Sequence, residues 1–395
     1  MAGPGNERHR ILITLPDLFL GGGQRIVLNY LAHRDRETFD VRILTLRPQP
    51  DDLRDEFEAA GAPITCLDLD HGSALGGLRE LTALLRRDRI DLVHPHGPDD
   101  RKLVLVPALT ARVPVVFHLH SEWNHRGVHQ PELAGPVRSA FAELKGRARD
   151  RVENLVVREY LADSQPVADA MAPHVCRPVH AMRQSMPFEQ LRQAAANHDD
   201  RAFRDEFGIG PGPIAISVSR LAEGKGQDRL IRAMARVVHD VPDAKLLLVG
   251  DGDLRPLCEQ LVEKLDLWRN VHFLGTRRDV PRLLAGAHVF AFASATESFG
   301  LVVAEAMAAR LPVVALRLPS VDSFTSDGQT GFFPAQDDDE GLAAALGRLL
   351  SNPELCRSMG DAGHHVVARH FPPTATAETF EAAYRRVLGL PQLAG

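Results

Sequence analysis

Short apolar runs alternate with longer stretches of helical periodicity along the first part of the chain. The runs are Ile11–Leu15, Val41–Leu46, Ile64–Leu67, Leu92–Val93 and Val113–Leu119, and between them lie Gln24–Leu31, Leu75–Arg87 and Lys102–Thr110. A strand that is apolar at nearly every position is buried on both faces, so the pattern predicts a parallel sheet covered by helices on both sides. That is one doubly wound α/β domain. The alternation breaks at 180–213, where Met182–Pro187, the polar Ala194–Asp200 and the Gly208–Pro213 cluster read as loop or linker. It restarts with Ile214–Val218, Leu246–Val249, Val271–Leu274, Val289–Phe292 and Val313–Leu316, a second α/β domain. After Pro372 and Pro373, Thr374–Leu388 reads as an amphipathic helix. The expected boundaries are 1–185, 186–372 and 373–395. Doubly wound sheets bind ligands where the strands' carboxyl ends part, so the loops that follow strands carry the functional reading.

Composition narrows the classes. With 395 residues, 44% of them hydrophobic and 25% charged, the chain has material for large cores, which excludes a disordered or disulfide-scaffolded protein. A net charge of −6 argues against a general nucleic-acid binder. Only five of the 46 basic residues are lysine, which reads as the codon bias of a GC-rich bacterial genome. Cys66, Cys176, Cys258 and Cys356 have no metal-ligand spacing and read as reduced thiols. The N-terminus lacks the apolar run of a signal peptide, and no window approaches 18 apolar residues. The expectation is a cytoplasmic protein.

Four loops hold candidate chemistry. In Leu20–Arg25, Gly22 and Gly23 precede a helix, where bare backbone and free N–H groups suit an anion; a plain flexible loop is the alternative, and no GxGxxG is present. In Ile214–Gly226 an apolar strand delivers Arg220 and Lys225 ahead of a helix, a pair suited to clamping a diphosphate. In Phe292–Ala308, Glu297 and Glu305 stand eight residues apart, and a helix from Phe299 or Gly300 would put both carboxylates on one side of the element. Glu305 sits among Val302, Val303, Ala304, Ala306 and Met307, so it needs a partner, and sugar hydroxyls are suitable donors. Finally, His94, His96, His118, His120, His125 and His129 are six of the 18 histidines. Residues i and i+2 of a strand face one way, so the two HxH pairs have zinc-ligand character. No carboxylate or cysteine arrangement accompanies them in the sequence, and the expectation is no metal site. For His94, His118 and His129 a hydrogen-bonded structural role is expected.

Together these loops resemble the retaining glycosyltransferases of family 4, which have the two-domain GT-B fold. The resemblance covers nearly the whole chain and is strongest over 214–333. Ser219-Arg220-Leu221-Ala-Glu-Gly-Lys225-Gly226 resembles the family's GRL…KG loop, Leu247–Gly252 its IVGxG turn and Val271–Gly275 its VxFLG segment. Glu297 to Glu305 is similar to its E-x7-E motif. The resemblance implies a nucleotide-diphosphate sugar, a UDP-sugar, as co-substrate, with no separate cofactor. It assigns Arg220 and Lys225 to the diphosphate, Glu305 to the ribose hydroxyls, Glu297 and the backbone of Ser298, Phe299 and Gly300 to the transferred sugar, and Gly275 to the base. It places Gly22 and Gly23 near the phosphates and His120 near the sugar and acceptor, an orienting rather than an essential basic role. It also implies that the final helix crosses back to the N-terminal domain. Three departures stand out: Arg310 where the family has Gly, Leu318–Phe324 in place of a GGxxE segment that helps hold the sugar, and Met182–Pro187 in place of NG(V/I)D.

The expected activity is therefore transfer of a hexose to a hydroxyl of a polar acceptor. Two other classes remain open: a catalytically silent nucleotide-binding relative, and a zinc hydrolase built on the histidines. The acceptor is a cell-surface glycan or lipid intermediate, or a small natural product. Ser121–Arg126 follows His120 on the acceptor side, where Trp123 is suited to stacking on a sugar and Glu122 to pairing with an amine. Val137–Tyr160, with Arg138, Lys145, Arg147, Arg149, Arg151 and Arg158, is a candidate for peripheral contact with the inner membrane face, against the plainer reading of a solvated helix.

Overall fold

The structure, a computed structural model, describes residues 8–69, 73–120, 151–175 and 177–392. The chain divides into two units, Met1–Ser185 with Thr374–Gly395, and Met186–Pro373. The first contains strands β1 (His9–Leu15), β2 (Phe39–Thr45), β3 (Ile64–Cys66), β4 (Leu92–Pro95), β5 (Val115–Leu119), β6 (Val157–Ala162) and β7 (Val179–Ala181). They form one parallel sheet in the order β3-β2-β1-β4-β5-β6-β7. The second contains β8 (Ile214–Val218), β9 (Lys245–Val249), β10 (Val271–Gly275), β11 (Val289–Phe292), β12 (Val313–Ala315) and β13 (Gly331–Phe332), parallel in the order β10-β9-β8-β11-β12-β13. Both sheets are doubly wound, as the strand pattern implies. Their order reverses between β1 and β4, and between β8 and β11, which is where such sheets open a ligand crevice.

Period-two alternation builds the cores. In the second unit Ile214, Ile216, Leu247, Val249, Phe290 and Phe292 point to one face and one apolar cluster. Ala215, Leu246, Leu248, Val289 and Ala291 point to the other. In the first unit Leu12, Leu44, Val93, Val115, Phe117 and Leu119 share one face. On the opposite face, His94 and His118 stand where the alternation places buried side chains, beside Phe380 of the helix Ala375–Leu388. That helix belongs to the first unit. Its Phe380 and Tyr384 pack on Tyr30 of the helix Gly22–His33 at ring distances of 5.1 and 6.0 Å. Thr376 and Ser185 exchange two backbone–hydroxyl bonds of 3.0 and 2.9 Å that tie its start to the end of the first segment.

Two expectations need correction. The stretch read as linker holds two helices, Phe188–Ala196 and Asp200–Phe207, because Leu191, Phe203 and Ile209 are buried in the second core and Asp199 caps the second helix through Ala202 N–H. Val157–Tyr160, read as the end of a charged helix, belongs to β6; Arg158 is exposed, and Glu159 is buried against Arg386. The short β7 and β13 lie in segments too brief for a periodic signal. The residues 121–150, with His125, His129, Glu122, Trp123, Arg138, Lys145, Arg147 and Arg149, lie outside the described residues, as does Cys176. Of the other cysteines, Cys258 and Cys356 are buried and Cys66 is half-buried, and all three are free thiols.

Candidate active site

In the second unit, three loops at strand ends are knitted into one floor. The loop after β8 carries Arg220 and Lys225 and ends at Gly226, which precedes the helix Gln227–Asp240 with no side-chain cap. Gly226 has φ +71°, and a Cβ there would lie 2.1 Å from Ala293 O, so only glycine lets this loop lie on the end of β11. Ala295 N–H donates to Gly224 O at 2.7 Å and Ser294 Oγ to the same oxygen at 3.2 Å. Gln227 Nε2 donates to Ser219 Oγ and Arg220 O at 2.8 and 2.7 Å, fixing the loop from within. The turn after β9 backs it: Ser219 N–H donates to Val249 O and Leu221 N–H to Asp251 O, both at 3.0 Å. Gly275 ends β10 beside that turn and accepts from Gly250 N–H at 2.8 Å.

The charges meet on this floor. Lys225 Nζ donates to Glu297 Oε1 at 2.6 Å, with both side chains about one-fifth exposed. Arg220 is exposed, and among the described residues no carboxylate pairs with its guanidinium. Ser320 Oγ holds the Glu297 carbonyl at 2.9 Å. Ser298 and Glu305 are half-buried. The Phe299 ring packs on Phe324 and Phe371, at 5.1 and 5.3 Å, so the side chain is a core anchor. Gly300, with φ +86°, starts the helix Leu301–Ala308. The two glutamates therefore do not share one side of a helix: the left-handed Gly300 breaks the periodicity, leaving Glu297 in the loop and Glu305 on the second turn. Ser320 and Val321, in the segment that departs from the family pattern, are the residues packed against the Glu297–Gly300 loop. Arg310 adopts φ +64°, a conformation that favours glycine, and its guanidinium reaches Asp361 at 2.5 Å.

In the first unit, Gly22 and Gly23 open the helix Gly22–His33, whose start has no side-chain cap. A Cβ at Gly23 would lie 3.4 Å from His120 Cε1 and Nε2, so the glycine loop and His120 form one patch. His120 Nδ1 lies 3.1 Å from Asp163 Oδ2, and His118 Nε2 lies 2.9 Å from Asp163 Oδ1. His96 Nδ1 meets His120 Nε2 at 3.2 Å, and His94 Nδ1 meets Tyr384 Oη at 2.7 Å. Asp163, at the end of β6, was not anticipated. The carboxylate absent from the sequence pattern comes from 43 residues downstream of His120, and its only local sign is an acid directly after an apolar strand. Burial raises the cost of its charge, but His120 and His118 outweigh that and hold its carboxyl well below the usual carboxylate range. Burial pushes His94 and His96 well below the ordinary imidazole range, aided by neighbouring imidazoles, and brings His118 down to about 4. These three rings are neutral at pH 7.

Residues 199–366 match the family described as glycosyl transferases group 1, and residues 21–181 match the glycosyl transferase 4-like domain. N-acetyl-alpha-D-glucosaminyl L-malate synthase of Bacillus anthracis is 35% identical over 191 residues, a match that spans 48% of this chain and 50% of that protein. Alpha-D-kanosaminyltransferase of Streptomyces kanamyceticus is 27% identical over 400 residues, covering 98% of this chain and 97% of that one. The crystal structure of Anabaena HepE in complex with UDP-glucose matches with a TM-score of 0.79 at 20% identity, over 95% of this chain and 99% of that one. That likeness identifies the two wound sheets as the GT-B fold. With both family descriptions matched in tandem, one on each sheet, the chain belongs to the group 1 glycosyltransferases of the family 4 type.

Proposed function

We propose that the protein moves a hexose from a nucleotide-diphosphate sugar, a UDP-sugar, to a hydroxyl of a polar acceptor, with retention of configuration. The observation that carries this reading is the cationic floor of the second unit. Among the described residues Arg220 has no carboxylate partner and Lys225 pairs with Glu297 alone, on a loop pinned to the loop that carries both cations. An incoming diphosphate completes that charge set. Cleavage of the sugar–phosphate bond builds negative charge on the departing diphosphate, and fixed cations beside it stabilise the transition state with no reorganisation. In this reading Glu297 and the Ser298–Gly300 backbone address the sugar, Glu305 the ribose, Gly275 the base, and Gly22 and Gly23 the phosphates from the first unit. His120, held by Asp163, orients sugar or acceptor, and the diphosphate itself takes the acceptor proton. The acceptor is a cell-surface glycan or lipid intermediate, or a small natural product. Among the described residues no helix is long and apolar enough to cross a membrane.

Titration calorimetry with UDP and UDP-glucose, without added metal, tests the donor. UDP binding that weakens in Lys225→Ala supports it, and failure of UDP to bind the wild type overturns it. Product NMR tests the stereochemistry: an inverted anomeric centre overturns retention. UDP binding without turnover over a panel of acceptors would identify a silent relative instead.

A further inference from the structure

The first unit contains a second constellation, independent of the donor reading. His94 and His96, at the end of β4, and His118, on the adjacent β5, have buried side chains, and each offers one ligand atom within 4.8 Å of the others. Each ring has one nitrogen fixed by a partner and the other buried with none: Nε2 of His94, Nε2 of His96 and Nδ1 of His118. The partners decide the tautomers. Asp163, a carboxylate, only accepts, so His118 donates from Nε2 and keeps its lone pair on Nδ1. At His96, Nδ1 is occupied by His120 Nε2, which leaves Nε2 as the atom without a partner. At His94, Nδ1 is occupied by the Tyr384 hydroxyl, which leaves Nε2 as the outward atom.

We propose that His94, His96 and His118 bind one divalent transition-metal ion of the zinc class. An HxH pair on one strand with a third histidine on its neighbour supplies three imidazole ligands from one face of a rigid sheet, and imidazole suits zinc and the later first-row metals. The outer partners follow the arrangement in which a ligating histidine donates its other N–H to a carboxylate or another polar group. Asp163, Tyr384 and His120 fill those places. Three buried nitrogens without partners are costly in an empty site, and a cation satisfies all three at once. Zinc–nitrogen bonds of about 2.05 Å in a tetrahedral site put the nitrogens about 3.4 Å apart, so the set tightens as the ion enters. Burial gives this ion a holding role: it joins β4 to β5, to the C-terminal helix through Tyr384, and to His120 through His96.

The test uses full-length protein produced in medium supplemented with zinc or with cobalt, then dialysed against a chelator. Elemental analysis of the wild type is expected to give one metal per chain, and the cobalt form is expected to show the visible d–d bands of a tetrahedral centre. His96→Ala and His118→Ala lose that metal, while His180→Ala, at an exposed position of β7, keeps it. Metal-loaded wild type melts several degrees above the metal-free form. Should either variant fail to fold, the wild-type stoichiometry and the cobalt spectrum decide. Well under one equivalent in the wild type, or an equal load in folded His96→Ala, overturns the site.

Discussion

The two units share a winding order and differ in what their strand ends carry. Read from the central strand outward, β3-β2-β1-β4-β5-β6 and β10-β9-β8-β11-β12-β13 are the same topology, with β7 added at one edge of the first. The second unit places Arg220, Lys225 and Glu297 in loops and Glu305 on the second turn of the helix Leu301–Ala308, all at least partly exposed, where ions keep part of their hydration until a ligand replaces it. The first places three neutral imidazoles and one carboxylate inside the protein. One scaffold thus supports a permanent charge set that waits for an anion, and a buried polar set that depends on its own partners. The difference lies in whether the polar residue stands within a strand or beyond its end. Loop residues past the last ladder bond stay wet, whereas His94 and His118 sit within the ladder under Phe380 and Tyr384.

Acid separates the two most strongly. The folded-state pKa of His118 lies below its unfolded value, at about 4, and those of His94 and His96 are also depressed. The unfolded chain therefore binds protons that the folded chain refuses, and stability present above about pH 6.5 is lost as pH falls toward 4. Each such histidine contributes a slope of up to about 1.4 kcal/mol per pH unit. A bound ion leaves the sign unchanged, because protons compete for the same lone pairs. Calorimetric scans from about pH 7.5 to about pH 5 check this; a melting temperature flat across that range breaks the contrast between the units.

Removing a charge from the second unit tests the other half of the comparison. Lys225→Ala is expected to lower turnover about a hundredfold or more, the scale of losing one group that stabilises developing charge. The fold should survive, since the lysine is a loop residue and its pair with Glu297 is partly solvated. Near-normal transfer in this variant, measured as initial rates against UDP-sugar concentration, refutes the diphosphate assignment. His120→Ala sharpens the division of labour: transfer falls while calorimetric UDP affinity stays within about twofold, because donor binding rests on the second unit in this reading. Glu305→Gln does the reverse. It weakens UDP binding about tenfold, the worth of one charge-assisted hydrogen bond, and leaves kcat at saturating donor close to wild type.

Much of this arrangement is legible in the sequence. Strands buried on both faces announce themselves as apolar runs, and the run's end is the loop to read, so position singles out Arg220, Lys225, Glu297 and His120 as residues at strand ends, while the roles proposed for them come from the family resemblance. Asp163 did not follow. Its contacts with His118 and His120 depend on β6 lying beside β5, and β6 carries Arg158 and Glu159, which disguise it as helix. The helices at 188–207 were hidden for a related reason: their few buried residues, Leu191 and Phe203, gain meaning only against a core built by distant strands. Spacing also misled at Glu297 and Glu305, where one glycine with positive φ ends the register that eight residues suggest.

The smallest expected effect concerns Arg310, where a family-typical glycine is replaced. The residue follows the helix Leu301–Ala308 in a left-handed conformation, φ +64°, which costs a side-chain-bearing residue about 1 kcal/mol relative to glycine. Its guanidinium recovers part of that by reaching Asp361, but both side chains are more than half exposed, and such a pair is worth about 0 to 1 kcal/mol. Its carbonyl lies over Gly360, where a Cβ would come within 2.0 Å of it, so the bare backbone of that glycine is what makes room for the turn. Arg310→Gly trades the two terms against each other and also gives the unfolded chain more freedom to lose. The net is a shift of less than about 1 kcal/mol in either direction, read by denaturant midpoint at unchanged m-value. A larger loss would mean that the Arg310–Asp361 pair holds the second unit together more firmly than a solvated ion pair can, and that its strength is not confined to its buried sheet.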